Sequence, residues 1–184
     1  AKWLLRRILL DLLVGVDMTS YFTMVDLASY NWGKGSSDRT NYKGLLRAGD
    51  YSAKPSYFAY QRLCALFDAK TRMVANQPPA FLETTLTSER VRYVRGGCFV
   101  RNGKAIHAVW YPSTLPEPFE PQTVQVDLPV SPHASIIDPV LIDPLSGTVF
   151  GLENVARGDG RLTVANLPLL DYPLLVTDRS VALG

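Results

Sequence analysis

Proline is distributed unevenly along this sequence, and the change in its frequency divides the chain near residue 78. Of the 13 prolines, 12 lie at or after Pro78, and Pro55 alone precedes it. The charge changes at the same place, from net +5 over residues 1–80 to net −3 over residues 81–184. Because proline interrupts helices and favours turns, we expect helices in a first domain over 1–78 and short strands with turns in a second domain over 79–184.

The composition of the 184 residues excludes several classes of protein. Hydrophobic residues make up 47% of the chain, which is enough to bury a core, and a net charge of +2 is too small for a nucleic-acid partner. Charges at Arg6, Arg7 and Asp11 interrupt the first apolar run, so we predict neither a signal peptide nor a membrane span there. No group of Cys and His has zinc-ligand spacing, and the Gly-rich stretch 33–37 lacks the spacing of a phosphate-binding loop. The sequence therefore predicts no metal and no cofactor.

The first part of the chain has the pattern of a helix, a strand, a long loop and a second helix. Leu and Ile cover more than half of the helix predicted over residues 1–14, which therefore needs neighbours on two sides. The glycine that follows ends this helix, and residues 15–25 have the composition of a strand. A polar loop covers residues 28–41, and Ser52 and Pro55 supply a cap and a first-turn proline for the second helix.

The second part has the pattern of short strands separated by turns. Asn102 and Gly103 lie between two apolar runs, and an Asn-Gly pair in this setting predicts a β-hairpin. Ile106, Ala108 and Trp110 are expected on one face of its second strand. Further strands are predicted around residues 124–128, 135–142, 162–164 and 172–178, with a turn at 143–147. With turns at this density, an antiparallel β-sandwich is the expected architecture.

A few residues in these elements have the chemistry for a site, and each also has a structural interpretation. His107 alternates with apolar neighbours, which favours a hydrogen-bonded structural histidine over a catalytic one. Cys64 and Cys98 are predicted to be buried thiols, one in each part. Trp110 is predicted to lie in the sandwich core, and a carbohydrate-binding platform is the alternative.

Four short segments follow one another in the first part of the chain: residues 1–12, 15–22, 44–46 and 54–63. In this order they resemble the end of a glycoside hydrolase (β/α)8 barrel. They are similar to the clan of cellulase-like and β-xylosidase-like enzymes, of the family 39 type, and imply the seventh helix, eighth strand, eighth loop and eighth helix over residues 1–69. Residues 142–150 and 167–174 are similar to the β-sandwich appended in such enzymes. The expected fold class is α/β plus all-β: the last units of a TIM barrel followed by an antiparallel β-sandwich.

The resemblance implies a retaining enzyme that hydrolyses O-glycosidic bonds of a polysaccharide or oligosaccharide through two glutamates, at the ends of the fourth and seventh strands. The five glutamates here all follow residue 82: Glu83, Glu89, Glu117, Glu120 and Glu153. The barrel part therefore has neither catalytic residue, and we expect this chain alone to hydrolyse nothing. Its expected partners are a carbohydrate substrate and an upstream barrel segment of the same protein. Without that segment, much of the apolar surface of five helix residues is expected to be exposed to water: Leu4, Leu5, Ile8, Leu9 and Leu12.

One wall of the sugar site is what this chain is expected to supply, at the carboxyl end of the predicted eighth strand. The resemblance implies that Tyr21 replaces a tryptophan stacking under the sugar, with Phe22, Asp26 and Trp32 beside it. Tyr21 also fits a core aromatic residue, and Asp26 fits a loop cap. Trp32 lies in a polar loop, where an apolar ring gains little unless it covers a neighbour or a ligand. For the whole chain, the alternative function is a non-catalytic carbohydrate-binding or structural β-sandwich module.

Overall fold

The computed structural model describes residues 1–30, 39–86, 88–113 and 118–182. Its helices are α1 (Lys2–Leu13), α2 (Pro55–Leu66), α3 (Ser88–Val91) and α4 (Arg179–Ala182). The strands are β1 (Leu27–Tyr30), β2 (Arg39–Asn41), β3 (Thr71–Val74), β4 (Ala80–Thr84), β5 (Arg95–Arg101), β6 (Lys104–Trp110), β7 (Gln122–Pro129), β8 (Pro139–Ile142), β9 (Val149–Gly151), β10 (Val155–Gly158), β11 (Arg161–Leu169) and β12 (Leu174–Asp178).

Two antiparallel sheets form the second part of the chain. The larger sheet has the order β3-β5-β6-β12-β8-β9, and the smaller one has the order β10-β11-β7-β4. The two sheets pack against each other, since a Cβ at Gly96 would lie 3.2 Å from the ring of Phe81. In β7 and β11 alternate residues are buried, as the sequence pattern predicts. The prediction of antiparallel sheets after residue 79 is therefore confirmed.

The Asn-Gly signal gives the hairpin that it predicts. β5 and β6 pair from Arg95 opposite Trp110 to Arg101 opposite Lys104. Asn102 and Gly103 connect them, both with positive φ, at 51° and 76°. Left-handed backbone at both central positions is the geometry that an Asn-Gly pair adopts most easily.

The helices α1 and α2 form a third layer on the outer face of the larger sheet. Leu13, at the end of α1, packs directly onto Gly97 of β5, where a methyl group would overlap it. Just after α2, the ring of Phe67 meets the ring of Phe99 edge-on, with centroids 4.9 Å apart. Because β6 lies between two layers, all residues from Ala105 to Trp110 are buried. Trp110 is therefore a core residue, as predicted, but it faces the helices and not the second sheet.

Polar contacts tie both helices to the sheets. Lys2 of α1 forms an ion pair of 2.8 Å with buried Asp171. Arg62 of α2 donates a hydrogen bond of 2.7 Å to the carbonyl oxygen of Leu145, in the turn after β8. Leu4, Leu5 and Leu9 are buried within this chain, and Ile8 and Leu12 are partly buried against the same core. The expectation that much of their surface lies exposed is therefore wrong, because α2 and the sheet already cover this side of α1.

The first part departs from the predicted barrel units at its strand and its loop. Residues 15–25 form no strand, and only Val25 makes an isolated parallel bridge, to Leu46. A strand requires neighbours for its main-chain groups, and between residues 17 and 25 the described chain provides them only at Thr23, Met24 and Val25. The predicted loop over 28–41 contains the short antiparallel pair β1–β2. All three sheets of the described residues are antiparallel, and none closes into a barrel.

Four smaller predictions also change. The strand predicted over 135–142 is limited to β8, and β3 joins the larger sheet although it precedes residue 78. At the start of α2, Pro55 occupies the first turn as predicted, but Lys54 is the N-cap residue because Ser52 bonds Asp50 instead. Cys98 is buried and Cys64 is exposed, so the burial predicted for Cys64 is wrong.

Candidate functional site

The three described residues of the predicted sugar wall lie around a small polar cluster. This Asp26 cluster consists of Asp26, Gly44 and Lys54. Oδ1 of Asp26 accepts hydrogen bonds from the Gly44 N–H and from the Lys54 ammonium group, each at 2.8 Å. Lys54 also donates to the carbonyl oxygen of Tyr42 at 2.8 Å. With Asp26 buried, the ion pair is shielded from water, and it ties residues 42–44 to the start of β1.

Main-chain bonds complete this attachment. The N–H of Leu46 donates to the carbonyl oxygen of Met24, and the N–H of Asp26 donates to the carbonyl oxygen of Leu46, each at 2.9 Å. Gly44 lies so close to Val25 and Asp26 that a methyl group would overlap their main-chain atoms. Asp26 thus acts as a loop cap in the structure, and a glycine is required opposite it.

Tyr21 packs into the protein and is half-buried. Its hydroxyl donates a hydrogen bond of 2.7 Å to the carbonyl oxygen of Lys43, and its ring centroid lies 6.1 Å from that of Tyr60 in α2. Burial, together with the negative charge of Asp26, raises the pKa of the Tyr21 phenol. Tyr21 therefore remains a protonated donor at neutral pH, with part of its ring accessible.

Phe22 is one of four exposed apolar side chains between residues 16 and 24. We define the 16–24 surface as Val16, Met18, Phe22 and Met24, each between 40% and 83% exposed. The peptide bond from Phe22 to Thr23 is cis. Exposed aromatic and thioether side chains are of the kind that proteins use to contact a partner or a ligand.

Sequence reasoning identified Tyr21, Phe22 and Asp26. The charge of Asp26 acts on the phenol of Tyr21, and Phe22 follows Tyr21 as an exposed residue. Trp32, the fourth predicted residue, lies outside the described residues. Reasoning from the sequence missed Lys54 as the partner of Asp26. Asp26 and Lys54 are 28 positions apart in the sequence, and no local pattern predicts their ion pair.

A second pair of chemically competent groups lies in the sandwich core. Sγ of Cys98 is 3.9 Å from Nε2 of His107, and this nitrogen is 2.9 Å from the carbonyl oxygen of Pro129. Burial lowers the pKa of His107 to about 4 and raises the pKa of the Cys98 thiol to about 11. Both side chains are enclosed, so His107 has the structural role that its sequence pattern predicts.

In the described part of the chain, no three His, Cys, Asp or Glu residues are grouped to hold a metal ion. None of the described helices has the length and apolar character needed to cross a membrane. Comparisons with models of protein families, with curated proteins and with solved structures all find no match for this chain.

Proposed function

We propose that this chain is the C-terminal part of a retaining glycoside hydrolase that cleaves O-glycosidic bonds in a polysaccharide or oligosaccharide. The two catalytic glutamates belong to an upstream barrel segment outside this chain. The proposal extends the sequence resemblance, and one structural observation carries it: the exposure pattern of the segment that precedes β1.

Exposure alternates with a period of two in this segment. Met18, Phe22 and Met24 are exposed, whereas Tyr21 and Thr23 between them are partly covered. Such alternation is typical of a strand with one face against the protein. Here the exposed face is largely apolar, and the described residues provide no neighbouring strand before the bridge at Val25. Both observations support a covering segment from the rest of a barrel over Met18 and Met24.

Within that enzyme, Tyr21 and Phe22 would supply one wall of the sugar site. A phenyl or phenol ring offers a flat face with negative charge density, which suits the polarised C–H groups of a sugar ring. The Asp26 cluster fixes the neighbouring loop, so these rings keep a defined place. Trp32 is proposed as a further contact on the same loop.

For the β-sandwich we propose a bracing role and not a glycan-binding one. The contacts of Lys2 with Asp171 and of Arg62 with Leu145 support this role, because they join the helices to the sheets. Trp110, the strongest aromatic candidate for a glycan platform, is only 2% exposed. A buried indole offers no face for a sugar to stack on.

The proposal is tested on the natural protein. An antibody raised against this chain is used to deplete an extract of the source cells, and hydrolysis of a panel of aryl glycosides is measured before and after depletion. We expect the antibody to remove one glycosidase activity from the extract, together with a polypeptide whose mass is well above the 20.4 kDa of this chain. Depletion of a 20.4 kDa polypeptide with every activity retained would overturn the proposal. An unrelated antibody serves as the control.

A further inference from the structure

A cleft of about 410 Å³ lies between α1 and the larger sheet, away from the Asp26 cluster. We call it the arginine cleft, and the lining residues that matter here are Trp3, Arg6, Arg7, Leu10, Arg95 and Trp110. Its volume falls in the range of roughly 300–1,000 Å³ that is usual for small-molecule sites. Its lining combines guanidinium groups with indole rings, which is an unusual composition for a surface hollow.

Two of the three arginines that line the cleft carry positive charge that no described acid neutralises. Arg7 is paired with Asp11, its Nε 2.9 Å from the carboxylate. Arg6 donates to the carbonyl oxygen of Ser113 at 2.9 Å, and Arg95 donates to main-chain carbonyl oxygens at 3.2 and 3.3 Å. Neither Arg6 nor Arg95 forms an ion pair within the described residues. Since a guanidinium group has five N–H donors, both keep donors for an anion.

The remaining wall is apolar and partly open to water. The indole of Trp3 is 64% exposed, which leaves a large apolar face in solvent. Leu10, also exposed, lines the same cleft, and buried Trp110 contributes to its lining. An inorganic anion would bind the arginines and leave this apolar wall exposed to water. An organic anion with a ring-shaped body would use both.

We propose that the arginine cleft binds a small organic carboxylate with an apolar, ring-shaped body. The carboxylate accepts hydrogen bonds from Arg6 and Arg95, whose planar guanidinium groups match its two oxygens. The ring lies against Trp3 and Leu10 and removes their apolar surface from water. This binding does not depend on the proposed glycosidase function, because none of these residues belongs to the predicted sugar wall.

The test is a titration of the whole chain with phenylacetate, in which calorimetry and tryptophan fluorescence measure binding. Benzyl alcohol supplies the ring without the charge, and inorganic phosphate supplies charge without the ring. We expect saturable binding of phenylacetate, at least about tenfold tighter than that of either control compound. The variants Arg6→Gln and Arg95→Gln should each weaken phenylacetate binding about tenfold. Arg161→Gln, an exposed position in β11, should leave it unchanged.

Three results would overturn the proposal. One is the absence of saturable heat up to about 10 mM phenylacetate. Another is binding of phosphate as tight as that of phenylacetate, which would make the cleft a simple anion site. The last is equal weakening by Arg161→Gln, since a general charge effect would then explain the losses. Circular dichroism of each variant confirms that the fold is retained.

Discussion

Replacing Gly44 by alanine tests whether the Asp26 cluster fixes the loop beside the proposed sugar wall. The added methyl group would overlap the main-chain nitrogen of Asp26 and the carbonyl carbon of Val25, and would approach Oδ1 of Asp26 to 2.8 Å. Two of these atoms belong to the backbone, so no side-chain rotation relieves the overlap. The loop must move away from residues 25–26.

The cost follows from the hydrogen bonds that this movement weakens. They are the bond from the Gly44 N–H to Asp26 and the two main-chain bonds that join Leu46 to Met24 and Asp26. At about 1 kcal/mol net for each bond, the free energy of unfolding falls by about 3 kcal/mol. Overpacked sites lose comparable amounts. For a chain of this length, the expected decrease in Tm is about 6–12 °C.

Thermal unfolding followed by circular dichroism measures the effect, and Gly49→Ala is the matched control. A Cβ at Gly49 has no heavy atom within 4 Å, so that variant should stay within about 0.5 kcal/mol of the parent chain. Equal melting temperatures for the two variants, within about 2 °C, would refute the reasoning. In that case the loop has room that the structure does not show.

Three other properties of the chain are open to direct measurement. The pKa of His107 is about 4 in the folded protein and 6.5 in the unfolded chain, so folding favours the neutral ring. The free energy of unfolding should therefore fall by about 3 kcal/mol as the pH drops from 6.5 to 4. Urea unfolding should show this slope in His133→Gln and a flatter one in His107→Gln; equal slopes would contradict the assignment. A thiol reagent should label Cys64 in the native protein and Cys98 only in denaturant, and native labelling of both would contradict the burial of Cys98. The amides of residues 17–23 donate to no main-chain acceptor among the described residues, so they should exchange hydrogen rapidly in this chain and slowly in the proposed full enzyme.

The elements that the sequence predicts well have local causes. Asn102 and Gly103 specify their turn by backbone preference alone, and the hairpin between β5 and β6 follows. Pro55 starts α2 because its fixed φ suits a first helical turn. The alternation of Val124 and Val126 sets which face of β7 is buried. Each of these signals lies within a few residues of the structure that it determines.

The layer of helices on the larger sheet has no such local signal. Gly97 reads as an ordinary strand residue, yet its missing side chain lets Leu13 of α1 approach β5. Lys2 is a surface cation in the sequence, and its partner Asp171 lies 169 positions away. These partners are distant in the chain and adjacent only in the folded protein, so this part of the fold follows from the tertiary structure and not from the pattern of any segment.

Residues 15–25 show how a correct pattern and an absent strand can coexist. The sequence encodes strand propensity and a face, and the alternating exposure from Met18 to Met24 retains that face. It cannot encode pairing, because a hydrogen-bonded ladder belongs to two segments together. Val25 pairs with Leu46, and the carbonyl oxygens of Thr23 and Met24 accept hydrogen bonds from the same neighbouring segment, whereas the described residues give 17–22 no main-chain partner. The propensity of this segment and its lack of partners before Thr23 therefore point to the same conclusion: the surface at Met18 and Met24 is suited to pack against further protein, which leaves the ring of Phe22 for the proposed sugar wall.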